Sequence, residues 1–164
     1  MKTTLWVMVA VVVFAAAAGA QDIQSEIELT RAVIQTERQA LVAAGLDLTS
    51  TEADAFWPLY REYQGQRAIL GDREVKLITD YADNYGVMTD DKAKVMLDDW
   101  LDLQGKELSL KKKYAKKFRK ILPDLKVARY FQIENKLDAV IDNEVAKEIP
   151  LVAVSYTHLR AHET

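Results

Sequence analysis

Residues 49–86 read TSTEADAFWPLYREYQGQRAILGDREVKLITDYADNYG. Thr49-Ser50-Thr51-Glu52 opens the stretch as a capping box, in which the threonine hydroxyl accepts a free N–H of the first turn and the glutamate reaches back. Behind it Phe56, Tyr60, Tyr63, Leu70, Leu77, Tyr81 and Tyr85 fall at three- and four-residue steps and end at Gly86. That spacing lines up one face of a helix. Pro58 lacks the N–H the helix would use, which predicts a kink in the second or third turn. One helical period sustained over this length points to an all-α fold.

The neighbouring segments read the same way. Thr89-Asp90-Asp91 starts a third helix, with its acids at the positive end of the dipole. Met96, Trp100, Leu103, Leu110, Tyr114, Phe118 and Ile121 make its stripe, and Pro123 stops it. Pro123-Asp124 begins a fourth helix that carries Val127, Tyr130, Ile133, Leu137, Val140 and Ile141 up to Pro150. Before the opening stretch, a first helix runs from about Ile23 to Ala44, with Ile23, Ile27, Ile34 and Leu41 on one stripe and Gly45 as its cap. At 1.5 Å per residue the second and third helices are roughly 45–55 Å long, and only Tyr85-Gly86-Val87-Met88 joins them. The expected architecture is therefore four helices, elongated, around a long central antiparallel hairpin. Such a hairpin exposes its apolar stripe unless the outer helices or a second subunit cover it, which predicts a dimer.

The chain has 164 residues and opens on MKTTLWVMVAVVVFAAAAGA. One basic residue, an apolar run from Leu5 to Ala18 and the small residues Ala18-Gly19-Ala20 make the order of a secretory signal peptide. The run is short against the about 20 residues of a membrane span. Residues 1–20 are thus expected to be cleaved, leaving a helical domain over 21–152 in the periplasm. No cysteine occurs anywhere, which excludes a lipoprotein anchor, disulfides, thiolate metal sites and a cysteine nucleophile. The domain must be held by its own apolar packing or by a partner subunit. A net charge of −3 names no partner, and export argues against nucleic acid.

The most biased segment is Lys106 to Lys120, which includes KKKYAKKFRK. Around a helix, Leu103, Leu110, Tyr114, Phe118 and Ile121 cluster within about 80°. Lys112, Lys113, Lys116, Lys117, Arg119 and Lys120 spread over the other side. This amphipathic basic helix is either a solvated back face or a cationic patch for anionic protein segments or lipid head groups. The acidic rows Asp98, Asp99, Asp102 and Glu134, Asp138, Asp142 read as solvated or salt-bridged carboxylates, since the Glu-x-x-His pairs of helical di-metal centres are absent. Phe56, Trp57, Tyr60 and Tyr63 either pack as core or line a groove. No phosphate loop, nucleophile elbow or dinucleotide fingerprint is present, so no enzyme and no cofactor is expected.

An export signal, four helices and the opening Leu48-Thr49-Ser50-Thr51-Glu52 resemble the Spy/CpxP-like periplasmic proteins, whose hallmark is a repeated L-T-x-x-Q. Ile121-Leu122-Pro123-Asp124-Leu125-Lys126 would be the second repeat in degenerate form, and KFRKILPDLKVARYFQIENKL over 117–137 enters the last helix in the family's manner. The resemblance implies a thin helical hairpin forming a cradle-like homodimer. It implies ATP-independent binding of unfolded or stress-damaged envelope proteins, or sensing of envelope stress. By it Lys112, Lys113, Lys116, Lys117, Arg119 and Lys120 become the client-contacting residues. Glu52 in place of glutamine, the eroded second motif and Phe56-Trp57-Pro58 depart from the pattern.

The resulting expectation is an exported, non-enzymatic chaperone or stress adaptor. The alternative is a structural module docked on an anionic membrane surface, and a metal-binding sensor comes third. The last rests on His158 and His162 in the terminal SYTHLRAHET, an H-x-x-x-H spacing used by zinc sites. That tail back-translates to TCTTATACACATCTCCGAGCCCACGAGAC, which resembles a transposase-type sequencing adapter. Residues 153–164 are accordingly read as a non-native tail, and with them the metal reading falls.

Overall fold

In the computed structural model residues 36–152 are described. The expected signal peptide, the start of the first helix and the tail with its two histidines lie outside them. All regular structure among the described residues is helical: α1 over residues 36–46, α2 over Ser50–Asn84, a 3-10 turn at Tyr85–Val87, α3 over Asp90–Phe118 and α4 over Asp124–Glu148. None of these helices is long and apolar enough to cross a membrane. They form two compact units, one of residues 36–57 and 118–145, the other of 58–117 and 146–152.

The first unit is built on Phe56, Phe118 and Tyr130, all fully buried. Their ring centroids lie 5.3, 5.3 and 4.8 Å apart, within the range where tilted and edge-on aromatic pairs attract. Val42, Leu46, Leu122 and Val127 complete the core. The buried face of α1 is Arg38, Val42 and Leu46, whereas Leu41, expected on the core stripe, is exposed. Gly45 is not the cap either. The left-handed residue is Asp47, at φ 48°, while Gly45 sits inside the helix, where a Cβ would come 2.5 Å from Ile133 Cδ1. Its carbonyl accepts from Arg129 Nε. The glycine therefore serves close helix packing instead of chain reversal.

The capping box forms as its residues dictate: Thr49 N–H donates to Glu52 Oε2 at 2.8 Å and Glu52 N–H to Thr49 Oγ1 at 3.3 Å. Thr89 starts α3 in the same manner, its hydroxyl accepting from Lys92 N–H at 3.3 Å. α2 continues through Pro58, at the cost of the bond the Asp54 carbonyl would accept. α3 stops at Phe118, not at Pro123. Proline disfavours helical geometry in the residue before it. The chain turns early, with Ile121 and Leu122 N–H both donating to Phe118 O, and Leu122 goes into the core.

In the second unit α2 and α3 run antiparallel. Glu62 meets Tyr114 and Lys117, Arg73 meets Asp102, and Asn84 meets Lys92, so partners step up one helix as they step down the other. Tyr60, Tyr63, Leu103 and Tyr114 are buried, with the Tyr63 and Tyr114 rings 4.9 Å apart. Farther along, Leu70, Leu77 and Tyr81 are only half-buried. Trp100, expected on the core stripe, stands in solvent. Tyr81 O–H donates to Pro150 O at 2.6 Å, which ties the segment after α4 to this unit.

Candidate functional site

The six basic residues singled out in the sequence do not share one environment. Lys112, Lys113 and Lys116 are exposed on α3. Lys117 is half-buried, donates to Glu62 Oε1 at 2.8 Å and lies 4.6 Å from the centre of the Tyr114 ring, an attractive cation–π position. Arg119 and Lys120, expected on the helix, fall in the turn beyond it. There Arg119 Nε donates to Asp124 Oδ1 at 3.0 Å, beside the first turn of α4. Lys117 and Arg119 thus have structural duties, and of the six those left exposed on α3 are Lys112, Lys113 and Lys116.

Glu62, Tyr114 and Lys117 form one group. Tyr114 O–H donates to Glu62 Oε1 at 2.8 Å, the same oxygen that Lys117 holds. The lysine first, and the tyrosine second, hold the Glu62 carboxyl below its ordinary range. Burial, reinforced by the bond to Glu62, pushes the Tyr114 hydroxyl up to about 12. A phenol whose folded-state pKa lies above its unfolded value of about 10 stabilises the fold fully below that value. The contribution is lost as pH rises from 10 towards 12. Chemical denaturation across this interval is expected to show a fall in stability that is smaller in Y114F, the remainder coming from Tyr81, whose hydroxyl is also raised, by burial first and by Tyr85 second; equal falls in the two proteins would refute the assignment.

Between α2 and α3 of the same unit runs an open cleft of about 250 Å³, lined by Gln66, Ile69, Leu70, Lys106, Ser109, Leu110 and Lys113. The lining is aliphatic at Ile69, Leu70 and Leu110 and includes the side chains of Lys106 and Lys113. Lys106 is held by Asp102 Oδ2 at 2.6 Å, and that carboxylate, kept below its ordinary range by Lys106 and then Arg73, also accepts from Arg73 at 3.2 Å. Ile69 is exposed at the edge. The arrangement offers apolar contact beside positive charge.

No protein-family model, curated protein or solved structure matches this chain. In the first unit Lys126 donates to Glu52 Oε2 at 2.6 Å and to Asp47 O at 2.8 Å. Glu52 is held below its ordinary range by Lys126 first and the Thr49 amide second. The charge on residue 52 is thereby matched by a cation two helices along the chain.

Of the row read as solvated or salt-bridged, Glu134 and Asp138 are salt-bridged, and what the sequence did not reveal is their partner, Arg38. Arg38 Nη1 donates to Glu134 Oε2 at 2.7 Å and to Asp138 Oδ1 at 2.9 Å, with Arg38 and Glu134 buried. The signal was present: Glu134 follows Tyr130 by four residues and so continues the buried stripe of α4. Phe56, Tyr60 and Tyr63 are core, with Trp57 half-buried against Phe56 at 5.0 Å. Among the described residues no cluster of three or more histidine, aspartate or glutamate side chains could hold a metal ion.

Proposed function

We propose that this is an exported, non-enzymatic binding protein, an ATP-independent periplasmic chaperone or envelope-stress adaptor that holds unfolded proteins on its second unit. What supports the reading is the cleft, where Ile69, Leu70 and Leu110 lie beside Lys106 and Lys113, with Lys112 and Lys116 exposed on the same helix. Unfolded segments present apolar side chains interspersed with charge, and such a surface receives both without a shaped pocket. The resemblance to Spy/CpxP-like proteins, carried by Leu48-Thr49-x-x-Glu52, supports the same reading. It adds an elongated hairpin and a cradle-like homodimer.

Aggregation of a reduced, unfolded test protein at modest salt is the experiment. The mature chain is expected to suppress light scattering at a few-fold excess, and less so as salt screens the lysines. K112E/K113E/K116E changes only exposed side chains and should need about fivefold more protein for equal effect, a shift of about 1 kcal/mol. No suppression at several-fold excess ends the reading. Pelleting with anionic vesicles, in place of suppression, favours a membrane-surface module.

A further inference from the structure

The cleft of the second unit is lined by two kinds of side chain that together favour one kind of ligand. Its apolar members, Ile69, Leu70 and Leu110, are all aliphatic, so they suit an alkyl chain more than a flat ring. Its charged members, Lys106 and Lys113, are both cations. The carboxylates nearby are already engaged: Asp102 accepts from Lys106 and Arg73, and Glu62 from Tyr114 and Lys117. Two cations in a lining without a carboxylate attract an anion.

Lys106, Ser109 and Lys113 stand at i, i+3 and i+7 on α3. At 3.6 residues per turn they share a flank within about 60°, spread over roughly 10 Å of helix. Flexible four-carbon stems allow both ammonium groups to converge on one anion between them, with the Ser109 hydroxyl as a third donor. Lys106 has to turn from Asp102, which lies 2.6 Å away in a pair about half exposed on both sides. Exposed pairs of this kind are weak, and Asp102 keeps Arg73 at 3.2 Å. At about 250 Å³ the cleft is smaller than the roughly 300–1,000 Å³ of pockets that enclose drug-sized molecules. It therefore receives one chain, and not the two of a bilayer phospholipid.

We propose that the cleft binds a single-chain fatty acid, its carboxylate between Lys106 and Lys113 and its alkyl chain along Ile69, Leu70 and Leu110. The site shares its lining with the holding surface of the reading above, but its ligand is a small amphiphile and not a polypeptide. Both parts of that ligand are needed. Small anions lack the chain, and alkyl cations are repelled by the two lysines. An open cleft covers one side of the chain, so each added methylene should tighten binding about twofold, where complete burial gives about fourfold.

Titration calorimetry of the mature chain with dodecanoate, below its micelle-forming concentration, should show saturable one-to-one binding. Octanoate, with a shorter chain, should bind about fifteenfold more weakly, and neither acetate nor dodecyltrimethylammonium should bind. K106M/K113M keeps most of the stems but not the charges, and should weaken dodecanoate about tenfold. I69Q, at a position 57 % exposed, should weaken it about threefold. K94M, which changes an exposed lysine of α3 outside the cleft, should leave it unaltered. Helical circular dichroism should hold at saturation; loss of helix would mean detergent-like unfolding and would overturn the site. So would absence of saturation by about 1 mM, equal binding of the cationic amphiphile, or a K94M loss equal to that of K106M/K113M. Tighter binding of a lysophosphatidylglycerol of the same chain length would overturn the carboxylate as the head group. Amphiphile binding is measured without unfolded protein, so it stands or falls apart from the scattering assay.

Discussion

Replacing Arg38 by methionine is expected to destabilise the first unit by about 3–5 kcal/mol, the usual cost of removing one partner of a buried ion pair. The guanidinium is 8 % exposed and the Glu134 side chain 1 %, so water cannot take over when the cation is removed. Methionine matches much of the arginine stem in volume, so the loss reports charge and hydrogen bonding and not a cavity. Asp138, at 15 % exposure, retains some access to solvent, which makes Glu134 the group that suffers. The contacts join α1 to α4 across 96 residues of sequence, and their loss should loosen α1 first.

R38M/E134L supplies the control. A buried pair replaced whole by apolar residues of similar volume is often neutral or stabilising. The double variant should therefore recover a large part of the loss, and the coupling read from the cycle should be at least about 1 kcal/mol. Urea denaturation followed by far-ultraviolet circular dichroism measures both. If R38M costs less than about 1 kcal/mol, the network is a solvated surface pair and its burial has been misjudged.

What the sequence made legible was local. Thr49 and Glu52 act within one helical turn, and the structure makes their bonds. The stripe Phe56, Tyr60, Tyr63 was legible because a helical period needs no knowledge of the partner. What failed depended on distant residues. Gly45 looked like a cap because glycine past a helix end commonly is one, and only Ile133, far along the chain, requires its missing side chain. Leu41 and Trp100 were assigned to core stripes by spacing alone, yet which arc of an amphipathic helix is covered depends on what packs there. The basic run was legible as charge, but not the division of labour within it: Glu62 and Asp124 draw Lys117 and Arg119 into structural pairs. Arg38 was invisible since its partners lie in another helix.

Phe118→Ala is the second large effect, also about 3–5 kcal/mol, the cost of truncating a fully buried aromatic. Phe118 is the last residue of α3 and has no exposed surface. Its ring touches three others: Phe56 at 5.3 Å, Tyr130 at 4.8 Å and Phe131 at 6.1 Å. Two sources add to the loss, the transfer of the ring out of water and the void left among rings that cannot collapse together. Its backbone matters as well, because the Phe118 carbonyl accepts from both Ile121 and Leu122. Alanine keeps those bonds, so the variant isolates the side chain. The melting temperature should drop on the order of 10–20 °C, read by the fluorescence of Trp57, which packs on Phe56, in a W100F background of the mature chain. F118L retains much of the volume and should lose less than half as much. Equal losses for leucine and alanine would mean that ring contacts, not filled volume, hold this core together.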